Sequence, residues 1–480
     1  MIVGDDDQSI YGWRGAKVEN IEKFVHEFPG VETIRLEQNY RSTQTILEAA
    51  NTLIANNTER MGKNLWTEGQ KGELISIYSA YNELDEARFV VNKIKTWQDE
   101  GGNLKSSALL YRNNAQSRVL EEALIQAGLP YRIYGGMRFF ERQEIKDALC
   151  YLRLVSNRND DAAFERVVNT PTRGMGEKTL ETVRFAAGIV VVHFGKLVLP
   201  YWKKKVLVGR AGGALSRFVE LIDAIEDDTH EMPLHRQTDH AIHASGLYAM
   251  YEQEKGEKSK ARLENLEELV TATRQFEKPE EAEDMTMLVA FLTHAALESG
   301  EGQANEFDDA VQLMTLHSAK GLEFPLVFMV GVEEGMFPSQ MSLEESGRLE
   351  EERRLCYVGM TRAMQKLYIT YAEMRRLYGQ DKYHKPSRFI RELPESCLDE
   401  VRMKAQVSRP ASQGRFSQSV VKESFNDSGF HLGSRVKHPK FGEGTIINFE
   451  GTGPQSRVQV AFNGEGIKWL VTAYAKLETL

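Results

Sequence analysis

From residue 34 to about residue 135 the chain alternates short apolar or β-branched runs with helical patterns, and the same alternation resumes at Val311 after a long charged interruption. Residues 34–36, 74–78 and 108–111 read as strands, residues 43–56 and 84–98 as helices, and residues 312–316 and 326–330 carry the strand pattern onward. A crossover helix returns the chain to the same end of a sheet, so strand–helix alternation implies parallel strands, apolar because both faces are covered. The expectation is an α/β fold in which a large helical insertion divides one parallel sheet domain.

That insertion, residues 135–307, is helical and charged. Its densest charge run, Glu252-Gln-Glu-Lys-Gly-Glu-Lys-Ser-Lys260, reads as a solvated helix face, and residues 263–276 beyond it are amphipathic. Residues 405–430 turn Ser-, Gln- and Gly-rich, the composition of a flexible linker. In residues 431–480, four short β-like runs separated by Gly-rich turns (435–438, 444–449, 457–462, 467–471) predict a small all-β barrel.

Composition narrows the function classes. No apolar run approaches the roughly 18 residues of a membrane span and no signal peptide precedes the first motif, so a cytoplasmic protein without membrane contact is expected. Cys150, Cys356 and Cys397 are far apart, lack a CxxC or His-rich companion cluster, and are expected to be reduced thiols. With 60 Lys+Arg against 70 Asp+Glu the formal net charge is −10, which excludes a general basic coat. Any nucleic-acid contact must be local.

The chemistry is concentrated at the start, in Gly4-Asp-Asp-Asp-Gln-Ser-Ile-Tyr-Gly-Trp-Arg-Gly-Ala16. Met1, Ile2 and Val3 read as the end of a buried strand, yet no partner element precedes them, as in a chain cut from a longer one. Asp5, Asp6 and Asp7 are clustered oxygens of the kind that hold a divalent metal; a solvated acidic turn is the alternative. Gln8 is a neutral side chain able to orient water or a terminal phosphate, Arg14 a fixed cation, and Tyr11 and Trp13 aromatics that can stack on bases.

With three later segments this stretch resembles the UvrD/PcrA/Rep helicases of superfamily 1. Gly4 to Ala16 is similar to that family's third motif and Gln38-Asn-Tyr-Arg-Ser-Thr43 to its fourth. Thr315-Leu-His-Ser-Ala-Lys-Gly-Leu-Glu-Phe-Pro325 is similar to the fifth, and Glu351-Glu-Arg-Arg-Leu-Cys-Tyr-Val-Gly-Met-Thr-Arg-Ala363 to the sixth. Four long motifs in order, spanning most of the chain, are far more specific than one Gly-rich loop.

The resemblance implies a RecA-like sheet domain and a Tudor-like barrel. It divides the chain into the end of a first RecA-like domain (1–37), a second one in two parts (38–134 and 308–404), a helical accessory subdomain (135–307), the linker (405–430) and the barrel (431–480). It implies ATP as cofactor, with Gln8 as γ-phosphate sensor, Arg41 and Arg362 facing phosphates, Tyr40 on adenine and Glu323 on the ribose. An arginine fork spreads its charge over phosphoryl oxygens and, reaching across from a facing domain, couples nucleotide state to closure. DNA contacts are implied at Tyr11, Trp13, Arg14, His317 and Tyr111 with Arg112, because base stacking tolerates any sequence. Thr315 and Ser318 could donate to phosphates. Thr170-Pro-Thr-Arg-Gly-Met-Gly-Glu-Lys-Thr179 resembles a helix-hairpin-helix turn in which Gly174, Gly176, Lys178 and Thr179 would approach a duplex phosphate, an ordinary turn being the alternative. The implied partners are single-stranded DNA and its junctions with duplex, RNA polymerase through the barrel, and mismatch and excision repair proteins. The implied activity is ATP-dependent 3′-to-5′ translocation and unwinding.

Two departures qualify these expectations. No loop of the form GxxxxGK[ST] and no acidic Mg²⁺-binding motif of the family occurs in the 480 residues, so the Mg²⁺ ligands are expected upstream and the chain alone is expected to be inactive. A noncatalytic DNA-binding and polymerase-docking protein is the alternative reading. The second departure is residues 185–205, β-branched, Gly-dotted and carrying Pro200 where the family has a polar helix. Codons allowed for His193 to Lys204 can be chosen so that the neighbouring frame spells Phe-Trp-Gln-Ala-Ser-Leu-Ala-Leu-Leu-Glu-Glu-Lys, a good helix, which suggests compensating frameshifts; a divergent loop is the alternative.

Overall fold

The computed structural model describes residues 1–176, 181, 210–300, 304, 308–401, 435–439, 441–450, 457–462, 466–471 and 477–479, apart from Pro29, Glu59, Ser346, Tyr378 and Gly379. The segment 185–205, the linker 405–430, and Lys178 and Thr179 lie outside the described residues. The chain divides into two compact units, Met1–Lys404 and Ala405–Leu480.

In the first unit the elements run α1 (Glu19–Glu27), α2 (Gln44–Ile54), β1 (Ile75–Ala80), α3 (Glu83–Asp99), β2 (Ser107–Tyr111), α4 (Ser117–Gln126) and β3 (Tyr131–Ile133). The insertion supplies α5 (Gln143–Ser156), α6 (Asp161–Val167), α7 (Arg210–Thr229), α8 (Leu234–Ala244), α9 (Leu247–Gln253), α10 (Glu257–Gln275) and α11 (Met287–Gly300). The chain then returns through β4 (Val311–Thr315), β5 (Phe324–Met329), α12 (Gln340–Glu344), α13 (Arg348–Met360) and β6 (Ala363–Ala372). A hairpin of β7 (Met374–Leu377) and β8 (Gln380–Tyr383), then α14 (Arg388–Arg391) and β9 (Leu398–Glu400), complete the unit.

Seven strands form one sheet in the order β3-β4-β2-β5-β6-β1-β9, every pairing parallel. β2 lies inside it and all of its residues are buried. Because side chains alternate across a strand, Ala108 and Leu110 join the core built with Ile46 and Leu53 of α2 and Leu355 and Val358 of α13. Leu109 and Tyr111 join the opposite core with Val90 and Ile94 of α3 and Leu120 and Leu124 of α4. Helices on both faces make this the expected interrupted α/β sheet. The start of α3 is set locally: Asn82 caps it by accepting from the Asp85 N–H at 2.9 Å, ahead of an acidic first turn of Glu83, Asp85 and Glu86.

The insertion has its own core, centred on Tyr151, Phe164, Phe218, Leu247, Leu269 and Phe291. Its charge run is no single helix face: Gly256, at φ 111°, separates α9 from α10, a backbone angle glycine adopts without a Cβ clash.

Two strand expectations fail. Residues 34–36 are not a strand, and Ile34 and Leu36 are 76% and 81% exposed. Met1, Ile2 and Val3 are likewise exposed and irregular. A strand needs a ladder partner, and among the described residues none pairs with either run. Conversely β3, β6 and β9 were not anticipated; β6 begins at Ala363, where the last motif ends, and its polar residues hide the period.

The second unit is a five-stranded antiparallel sheet: β10 (Arg435–His438), β11 (Gly442–Glu450), β12 (Arg457–Phe462), β13 (Gly466–Val471) and β14 (Glu478–Thr479), in the order β13-β12-β11-β10-β14. Val436, Ile446, Val458, Val460 and Phe462 form its core. The three cysteines are buried and unpaired. Among the described residues no helix is long and apolar enough to cross a membrane.

Candidate nucleotide and DNA sites

Arg362 follows the C-terminus of α13 and enters β6, so its position is set by a helix end and a sheet at once. It is 2% exposed. Its guanidinium donates to the carbonyls of Val358 and Leu322, both at 3.0 Å, and to Thr361 Oγ1 at 3.1 Å. All three acceptors are neutral, and among the described residues no carboxylate pairs with it. Burial, and then the nearby Arg41 cation, push its pKa down to about 10.

Arg41 reaches the same place from a different element. Asn39 Oδ1 accepts from the Arg41 and Ser42 N–H groups at 2.8 and 2.9 Å, while Ser42 Oγ donates to the Ala363 carbonyl at 2.6 Å. The loop before α2 is thereby stitched to the residue beside Arg362. Arg41 Nε donates to Glu323 Oε2 at 2.5 Å. Glu323 therefore holds an arginine, and any ribose contact at Glu323 shares the carboxylate with it. Tyr40 is 85% exposed, its hydroxyl donating to Gln38 Oε1 at 2.8 Å.

Gln8 closes a 3-10 turn over Asp6–Gln8 and donates through Nε2 to Asp5 Oδ2 at 2.6 Å. The carboxylates of this turn are engaged. Asp7 takes a bidentate Arg60 at 2.7 and 2.8 Å, Asp6 accepts from the Met61 N–H at 2.8 Å, and Asp5 pairs with Lys63. The aspartates read from the sequence as a candidate metal cluster are thus already engaged, Asp5 and Asp7 in ion pairs and Asp6 by a backbone N–H.

A groove of about 990 Å³ gathers Tyr11, Arg14, Arg112, Thr315, His317 and Ser318. Tyr11 donates to the His317 carbonyl at 3.1 Å, and the two rings lie 6.3 Å apart. The guanidinium of Arg14 sits 5.4 Å from the Tyr11 ring centroid. Thr315 and Ser318 hydroxyls are 3.0 Å apart. Burial, with Arg112 and Arg14 adding to it, lowers the His317 pKa to about 3, so its ring is neutral near pH 7.

Two sequence expectations change here. Tyr111 is fully buried in the sheet core and offers no face to a base. Arg112 lines the groove, but its guanidinium is committed to Glu352 at 2.7 to 3.1 Å, a partner drawn from α13. Burial lowers the Arg112 pKa, yet the charge and hydrogen bonds of Glu352, joined by the charges of Glu257 and Glu264, together outweigh it, so the pKa lies above the usual value. Gly174 has φ 74°, and none of the described residues lies within 4 Å of the Cβ position of Gly174 or Gly176. Asn169 and Arg173 build that turn: Asn169 Oδ1 accepts from the Arg173 N–H at 2.8 Å and Arg173 donates to Tyr151 and Ser245 at 2.7 and 2.9 Å. For Trp13 only the backbone, in the 3-10 turn Gly12–Arg14, is described.

Lys320 was not singled out from the sequence. Its ammonium donates to the Gln8 carbonyl at 2.7 Å and lies 5.5 Å from the Tyr11 ring centroid, joining the turn of Gln8 to the groove. The available signal was its place between His317 and Glu323 in one motif.

Three family descriptions match the chain. "UvrD-like helicase C-terminal domain" covers residues 34–374, "UvrD/REP helicase N-terminal domain" residues 1–29, and "PcrA/UvrD tudor domain" residues 432–478. DNA helicase II of Escherichia coli K12 is 69% identical over 480 residues, and that of Haemophilus influenzae Rd 61% over 478. The ATP-dependent DNA helicase PcrA of Bacillus subtilis 168 is 41% identical over 503 residues, covering 99% of this chain. The chain spans 66% of the length of each of these relatives.

Proposed function

The chain belongs to the UvrD-like DNA helicases, and on that premise we propose that it is the part of an ATP-dependent 3′-to-5′ helicase that completes the nucleotide site from one side and grips single-stranded DNA in the groove. The observation that carries this is Arg362, a buried cation whose acceptors are all neutral oxygens, with Arg41 beside it. Two guanidiniums with one carboxylate between them leave a charge that a phosphate would balance.

ATP, when bound, supplies a phosphoanhydride whose cleavage spreads negative charge over the transferred oxygens. Arg362 and Arg41 would hold that charge, Gln8 would orient the attacking water, and exposed Tyr40 would stack on the base. The carboxylates of Asp5, Asp6 and Asp7 are engaged by Lys63, the Met61 N–H and Arg60. On the other side of Lys320, Tyr11, Arg14 and His317 would stack on bases and meet the backbone, so a shift of the Gln8 turn is felt at the groove. We assign residues 1–37 and 38–134 with 308–404 to two RecA-like domains, 135–307 to the duplex-facing accessory subdomain and 431–480 to RNA polymerase docking. Repair and replication intermediates are the substrates this reading names.

The test is nucleotide turnover in the polypeptide extended to the length of its relatives. Arg362→Ala should lower DNA-stimulated ATP hydrolysis by about 10³-fold or more while leaving single-stranded DNA affinity without nucleotide nearly unchanged. Unaltered hydrolysis would remove Arg362 from the site; no stimulation by DNA in the parent would favour the noncatalytic reading.

A further inference from the structure

Away from the groove and the arginine pair, α4 and α11 bring Glu122, His294 and Glu298 together, their candidate ligand atoms all within 4.8 Å of one another. His294 and Glu298 are four residues apart on one face of α11, and His294 Nε2 already lies 3.2 Å from Glu298 Oε1. Metal–ligand bonds of about 2.0 to 2.2 Å place neighbouring donors roughly 3 to 3.5 Å apart, so this edge is preformed and Glu122 needs only a side-chain adjustment of about 1 Å. The His294 ring is held by Phe140 and Phe276, with centroids 6.3 and 5.4 Å away, yet its side chain is 36% exposed, which leaves a path for an ion.

Charge points the same way. The cation nearest Glu122 is Arg118, whose Nη1 donates to Glu122 Oε1 at 2.7 Å while its Nε is taken by Glu268 at 2.5 Å. One guanidinium therefore serves two carboxylates, and among the described residues Glu298 is paired only with the His294 ring. Glu121 adds a further buried carboxylate on α4, partly offset by Arg138 and Arg142.

We propose that Glu122, His294 and Glu298 form a binding site for a divalent transition-metal ion, Zn²⁺ being the best fit to one imidazole and two carboxylates with solvent completing the shell. The ion clips α4, which leads out toward the insertion, to α11, which leads back to β4. The site is separate from the nucleotide chemistry.

The experiment is titration of the chelator-treated full chain with Co²⁺, followed by its d–d absorption, and then displacement by Zn²⁺ in a calorimeter. One equivalent of Zn²⁺ per chain should bind, raise the melting temperature, and lose at least about tenfold in affinity in both Glu298→Gln and His294→Asn. Melts in EDTA identify the variants that keep the parental fold, and Glu122→Gln replaces either one that does not. A folded variant that binds Zn²⁺ within about twofold of the parent, or a parent without saturable binding, overturns the assignment.

Discussion

Arg362 is held by two carbonyls and a hydroxyl, so its orientation is set without any anion. Arg362→Lys should therefore fail nearly as badly as Arg362→Ala in ATP turnover, because an ammonium cannot reach three fixed acceptors and a phosphate together. Tyr11→Ala should weaken single-stranded DNA binding by about 1 to 3 kcal/mol for oligonucleotides of any sequence, measured by fluorescence anisotropy. Tyr11→Phe removes the bond to the His317 carbonyl but keeps the ring and should cost less. His317 carries a pH dependence. Folded, it stays neutral down to about 3, whereas unfolded it takes up a proton near 6.5. The unfolded chain thus binds more protons in that window, so stability falls as pH drops from about 6.5 and is unaffected above it. The stability difference between parent and His317→Gln should change with pH below 6.5 and stay constant above it in urea titrations.

At the scale of elements, α13 carries both sites: Glu352 on it fixes Arg112 of the groove, and its end delivers Arg362. It packs on the sheet through Gly359, where an added Cβ would lie 2.5 Å from Leu316 Cδ2 and 3.1 Å from the Met329 methyl. Gly359→Ala should cost about 1 to 3 kcal/mol of stability and lower ATP turnover as Arg362 is displaced, checked by chemical denaturation alongside kinetics. Most sheet strands were legible because a strand buried on both faces is apolar throughout, as residues 107–111 are. β6 was not, since Gln365 and Lys366 interrupt its period, and residues 34–36 misled because three apolar residues make a strand only beside a partner. Motif residues were legible as types in order; which of them face a ligand was not.

For the whole molecule, the division into Met1–Lys404 and Ala405–Leu480 predicts separable folding. A chain ending at Lys404 should keep its circular dichroism and single-stranded DNA affinity and, if the proposed docking role of residues 431–480 holds, should bind RNA polymerase less than the full chain in a pull-down with purified enzyme. Loss of DNA affinity on that truncation would reassign part of the groove's work to the second unit. The sequence by itself determined the family, the interrupted parallel sheet and the separate β unit, because those rest on local periodicity and on motifs read in order. Only the tertiary structure decided that Tyr111 is core, that Arg112 is spent on Glu352, that the aspartates are already paired, and that Lys320 joins Gln8 to Tyr11. Each of those depends on a partner tens to hundreds of residues away, or on which strand lies inside the sheet, and neither leaves a local pattern in the chain.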